Sequence, residues 1–223
     1  MTTYDAAEGM TLGEARDDYF RANGFGPDGG YDDAWVDFRL GPIPMPFPNT
    51  AGRKRAVRFH DLHHVLTGYA TDLRGELEIS AWELGSGCAG YLAAWQLNLG
   101  GLVAGLLACP RRTWRAFLRG RSSRNLYRGV AYDAALLGRR VGEVRRELGL
   151  GSERRVGDGS NAGGGDRGPG HPRTSVADVA WLAALAGAGA AVGSVMFVLM
   201  IPAALVANAA AWSSRRQRNT ART

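Results

Sequence analysis

Lysine is nearly missing from this chain: of its 27 basic residues only Lys54 is a lysine, and the rest are arginines. The net charge is +6 and the pI is about 9.8. Arginine, alanine and glycine richness together fit a compositional bias. They equally fit an anionic partner, a membrane surface or a nucleic acid. Cysteine is limited to Cys88 and Cys109, both in apolar surroundings and neither in a CxxC. That spacing argues against a disulfide framework or a thiolate metal site and points to small core residues in a reducing compartment. The first twenty residues have no basic start and no apolar run, so a secretory signal is not expected and the first domain is expected on the cytoplasmic side.

Charge is missing altogether from Val179 to Trp212. As a helix at ~1.5 Å per residue this stretch reaches roughly 50 Å, enough for one membrane span of ~30 Å with overhanging ends and too short for two. Trp181 and Trp212 suit the two interfaces, and Gly189 with Gly193 makes a small-xxx-small spacing that brings two helices close, as in a homodimer. Arg215, Arg216 and Arg218 follow it. Before it, residues 151–175 are dense in glycine, serine and charge and offer almost nothing to bury, the composition of a flexible linker. The expected organisation is a helical domain at 1–150, a disordered linker at 151–175, a single-pass transmembrane segment at 176–212 and a basic tail at 213–223.

Within 1–150 helical patterns dominate. Thr11 and Glu14 form a capping box and Gly24 closes that helix. Pro42, Pro44, Pro46 and Pro48 then exclude regular helix and any central strand. Helix resumes over about 53–69 and 72–85, and a last helical run covers 132–150. The uncharged stretch from Cys88 to Cys109 is long enough to span a membrane, but Gln96, Asn98 and its paired glycines favour a buried or membrane-resting helix. Residues 111–128 interleave arginines with Trp114, Phe117 and Tyr127, a pattern that fits an amphipathic helix on an anionic membrane better than a nucleic-acid site.

What the chain does have is three of its four histidines within five positions, His60, His63 and His64; the fourth is His171. On a helix, at ~100° per residue, Phe59, Leu62, Val65, Leu66 and Tyr69 gather on one side and His60, Asp61 and His64 on the other. Two imidazoles at i and i+4 reach one ion, and an interleaved carboxylate adds an oxygen donor or orients a ring. His63 points further round, nearer the edge. The next helix offers Glu76, Ser80 and Glu83 on one face, with Glu78 pointing away to solvent. Glu76 can close a site made by His60, Asp61 and His64. Glu83 is too far along to share the ion easily and is expected to support the ligands from behind or to carry a proton. Gly68 either leaves room for a ligand or ends the helix. Mixed nitrogen and oxygen donors suit zinc, iron or manganese.

His60-Asp61-Leu62-His63-His64, eleven residues and Glu76 together resemble the HDxxH-x11-E motif of the Coq4 family of ubiquinone-biosynthesis proteins. RDDYFRANGFGPD and GRRVGEVRRELGL resemble that family's early and closing helices, so the likeness covers about residues 10–150. It implies an all-α, membrane-peripheral protein with a divalent metal, zinc first, held at His60, Asp61, His64 and Glu76. It also implies oxidative decarboxylation at C1 of a prenylated ring precursor, a lyase-type activity, among partner enzymes of quinone biosynthesis. The proline-rich stretch and the apolar tail depart from the family, so another quinone or polyprenyl lipid is an alternative substrate. A non-catalytic lipid-binding scaffold is the alternative function.

Overall fold

The computed structural model describes residues 7–36, 39–40, 43–44, 46–151 and 174–191, with side chains left aside at 39–40 and 43–44. Most of the expected linker, the expected span beyond residue 191 and the basic tail lie outside the described residues.

Helix predominates, in line with an all-α reading. After a short 3-10 turn at Ala7–Gly9, α1 runs Leu12–Asn23. Its capping box is formed: the Thr11 hydroxyl accepts from the Glu14 amide at 3.2 Å, and the Glu14 carboxylate accepts from the Thr11 amide at 2.8 Å. The proline-rich segment is a pair of nested two-residue ribbons. β1 (Trp35–Val36) pairs antiparallel with β4 (Phe47–Pro48), and β2 (Arg39–Leu40) pairs with β3 (Ile43–Pro44) inside it. Every strand of such a ribbon is an edge, where proline's missing N–H is tolerated. The Asn49 amide then ties the ribbon's end to the Gly30 and Asp33 carbonyls, and Thr50 caps the next helix.

That helix, α2 (Ala51–Thr67), buries Phe59, Leu62 and Leu66, the side expected to be apolar. Gly68 ends it with φ 74°, so its role is that of a terminator. α3 (Leu73–Ser86) starts at an Asp72 cap, α4 spans Leu92–Ala108 and α5 spans Pro110–Arg121. The last run, expected as one helix, is two: α6 (Ala134–Leu137) and α7 (Val141–Leu148). The break lies where the Arg139 carbonyl accepts from Leu12 and the Val141 amide donates to Met10, so the entry to α1 takes the backbone groups a continuous helix would have used.

The packing centre is α3, gripped by α4 and α5. Backbones approach closely where glycines face each other. A Cβ on Gly120 would lie 2.2 Å from the Trp82 carbonyl oxygen, and one on Gly85 would lie 2.4 Å from that of Phe117. Gly101, one of the paired glycines in α4, lets that helix rest on Ser80 in the same way, at 2.3 Å. α4 therefore belongs to the domain core through Asn98, Leu99 and Leu102, and among the described residues no helix is long and apolar enough to cross a membrane.

Three expectations about the surface are corrected by packing. Trp114 and Phe117 stack on each other at 5.8 Å, with Phe117 fully buried and Trp114 packed against the core, and Tyr127 is buried too. Phe117 and Tyr127 are thus taken up by the core, while Trp114 is partly buried against it. Glu78 is not solvated alone: Arg112 forks onto its two oxygens at 3.0 and 2.9 Å. Residues 176–191 form a helix, α8, that docks on the domain. Leu185 is buried, a Cβ on Gly189 would lie 2.6 Å from the Leu99 carbonyl oxygen, and Asp178 pairs with Arg121 at 3.1 Å. The described start of the apolar tail is thus seated on α4 and α5, and Gly189 is spent within the chain.

Replacing Gly120 by alanine forces the α3–α5 crossing apart. A loss of ~1–3 kcal/mol is expected, the usual cost of overpacking. Urea unfolding of the variant beside wild type measures it, and equal midpoints would show that the crossing is looser than its geometry implies.

Candidate metal centre

The loop between α2 and α3 is short, and its tightness places the acid opposite the histidines. Gly75 makes this turn possible, since a Cβ there would sit 2.0 Å from the Ala70 carbonyl oxygen. Asp72 accepts from the Gly75 amide at 2.8 Å and starts α3, so that Glu76 in its first turn faces α2. His60 Nε2 then lies 3.2 Å from His64 Nε2. One oxygen of Glu76 lies 3.4 Å from His60 Nε2 and the other 3.3 Å from His64 Nε2. These donors of His60, His64 and Glu76 all fall within 4.8 Å of one another, a spacing that can hold a metal ion.

The other ring nitrogens decide what the inner ones can do. His64 Nδ1 donates to the Tyr69 carbonyl at 3.0 Å, since a carbonyl only accepts. His60 Nδ1 donates to Glu83 at 3.0 Å. A neutral imidazole protonated on Nδ1 carries a lone pair on Nε2. Two such lone pairs and a carboxylate therefore converge with no hydrogen between them, an arrangement that a cation or a proton has to relieve.

The metal-free electrostatics express that demand. Burial opposes charge on His60, but Glu83 and Glu76 outweigh it and push the imidazole well above its ordinary value. Burial likewise opposes ionisation of Glu76, yet hydrogen bonds and charge from His60 and His64 bring it down to about 2. Glu83 is 0% exposed. Burial again works against it, and the charge and hydrogen bonds of His60 and His63 hold it far below the carboxylate range.

Asp61 stands beside the trio, buried, with its carboxylate accepting from the Tyr31 hydroxyl at 2.5 Å. Burial raises its pKa, against the pull of His60. Tyr19 also stacks on the His64 ring, centroids 5.6 Å apart. His63 is not at an edge: it is fully buried, with Trp82 and Tyr127 packed edge-on at 5.2 and 4.8 Å. A helical wheel gives a direction around α2 but not which neighbours cover it. Tyr19, Tyr31, Asn98 and Tyr127 escaped sequence reasoning as site residues. Of these, Asn98 left a signal as one of the two side-chain amides, with Gln96, in the uncharged run 88–109, and it donates to Glu83 at 2.5 Å.

No protein-family model, no characterised protein and no solved structure matches this chain.

The His60 shift has a defined consequence in metal-free protein. Its folded pKa lies above the unfolded value of ~6.5, so its contribution to stability is complete below ~6.5 and fades as pH rises through the folded value. The difference in unfolding free energy between wild type and His60→Gln, measured by urea titration with chelator from pH 5 to 9, should shrink toward alkaline pH. A difference that grows with pH would contradict the assigned sign.

Proposed function

We propose that this chain is a metal-binding protein of the Coq4 type that works at a membrane on a prenylated ring precursor of a quinone. The observation that carries the metal reading is the convergence of His60 Nε2, His64 Nε2 and Glu76 with both outer ring nitrogens already donating. Two imidazoles and one carboxylate fit catalytic zinc, and they equally fit the facial triad of non-haem iron; manganese accepts the same donors. An ion held by His60, His64 and Glu76 would supply Lewis-acid polarisation of a substrate oxygen.

Asp61, the remaining motif position, separates enzyme from scaffold. While Tyr31 holds its carboxylate, three protein ligands leave a position open to substrate, the mark of catalytic sites. Were Asp61 to close the fourth position, the site would be structural and the protein a lipid-binding scaffold. The Tyr31 phenol favours the open site and hence the enzyme. The reaction implied by the resemblance breaks the bond between ring C1 and its carboxyl group and forms a C–O bond in its place. With dioxygen as oxidant the simplest balance consumes one water and one dioxygen and yields ring hydroxyl, carbon dioxide and hydrogen peroxide.

Membrane association is supported by large apolar side chains left exposed on α4 and α8. Leu92 and Leu107 are 82% and 83% exposed, and Leu97, Val176, Val179 and Trp181 are exposed with them. Of the segment assigned as an anchor, residues 176–191 lie on the domain's own surface.

Three experiments test this reading. Metal analysis of protein purified without chelator should find one bound ion per chain. His64→Ala and Glu76→Ala should lose the ion and release of carbon dioxide from a prenylated hydroxybenzoate while staying folded; unchanged release would remove the site from the chemistry. In vesicle flotation the full chain should float, and a Leu92→Glu/Leu107→Glu double variant should float less; equal flotation would place the membrane contact elsewhere.

A further inference from the structure

Glu83 accepts four side-chain hydrogen bonds, and among these its link to the candidate metal centre runs through His60. Its Oε1 accepts from His60 Nδ1 at 3.0 Å and from His63 Nδ1 at 2.7 Å. Its Oε2 accepts from Asn98 at 2.5 Å and from the Tyr127 hydroxyl at 3.0 Å. These donors come from α2, α4 and the loop after α5, and all meet at one point on α3. His63 adds a further link, for its Nε2 accepts the Leu126 amide at 3.0 Å. An amide nitrogen only donates, so His63 Nε2 must carry the lone pair and Nδ1 the proton. That is a determined tautomer, and it leaves His63 no free donor atom for a metal.

We infer that Glu83, locked by His63, Asn98 and Tyr127, is the positioning residue that sets the tautomer and basicity of His60 for the ion, and that His63 couples the backbone at Leu126 to the centre. The inference rests on the metal reading above and names residues outside the His60, Asp61, His64, Glu76 motif. Its physical basis is direct. A carboxylate behind a ligating imidazole fixes the ring and makes its inner nitrogen a better donor. This carboxylate cannot swing away, because four hydrogen bonds from three segments hold it. With His63 pinned to Leu126, a displacement of that loop pulls on Glu83 before it reaches the ligands. His63 is thus the third histidine of the cluster without being a ligand.

Two measurements on the full chain test this. Long-range proton–nitrogen NMR with labelled histidine should show His63 of the metal-free protein protonated on Nδ1 and bare on Nε2, and His60 of the zinc-loaded protein retaining its Nδ1 proton. His63 protonated on Nε2 would overturn the relay. Competitive titration with zinc, and cobalt as a spectroscopic probe, should show Glu83→Gln binding about 10–100-fold more weakly than wild type, with shifted cobalt bands. Tyr127→Phe, which keeps the ring and removes one donor, should fall between the two. It carries the test if Glu83→Gln does not fold. Wild-type affinity and an unchanged cobalt spectrum in whichever variant folds would overturn the proposal. Failure of wild type to bind either ion would instead sink the metal reading, and the histidine tautomers would still decide the relay.

Discussion

A fully buried carboxylate is costly unless it is paired and hydrogen-bonded on all sides. Glu83 meets that condition only if α2, α3, α4 and the loop carrying Tyr127 are all in place. The requirement runs both ways. Leaving out any donor strands charge in the core, so the network makes alternative packings of these segments unfavourable. Around it the apolar side chains Trp82, Phe59 and Leu62 complete the seal. The packing that builds the domain and the chemistry that orients the candidate centre thus share a single anchor.

Glycine makes this anchor reachable. Gly75 folds the turn that brings Glu76 across from His60 and His64, and Gly101 lets α4 come near enough for Asn98 to reach Glu83. The Gly85–Gly120 crossing does the same for α5. A side chain at any of these positions would collide with backbone or with Ser80. The chain's glycine richness, which in a sequence looks like bias, is in these places a condition of helix contact. The arginines tell a similar story. Arg112 pairs with Glu78 and Arg121 with Asp178, and buried Arg145 donates to the Leu66 and Val65 carbonyls at the end of α2. A good part of the basic charge is therefore structural, and overall charge says less about a partner than its size suggests.

Residues 176–191 alter the picture of the tail. Read as sequence, they are the first half of an apolar run after a disordered connection, and nothing in that run tells lipid from protein as its neighbour. In the fold they are one more helix on the domain, held by Leu185, by Gly189 against Leu99 and by the Arg121–Asp178 pair. Val176, Val179 and Trp181 remain exposed on that helix, as Leu92, Leu97 and Leu107 do on α4. A membrane contact on this side would present the domain in one orientation.

Local information was enough for a large share of this protein. Periodicity located α1, α2 and α3 to within about two residues, the capping box and Gly24 bounded the first, and alternating prolines ruled out helix before α2. The spacing of His60, His64 and Glu76 also follows from helix geometry and one short turn, which is why the donor trio was legible. Burial and partners were not, because they depend on segments far apart in the chain. Whether His63 faces water or Trp82, whether Asp61 meets an ion or Tyr31, whether Phe117 waits for a lipid or fills the core: each is decided by what another element covers. Side-chain direction is a property of one helix, whereas hydrogen-bond partnership is a property of the packed whole.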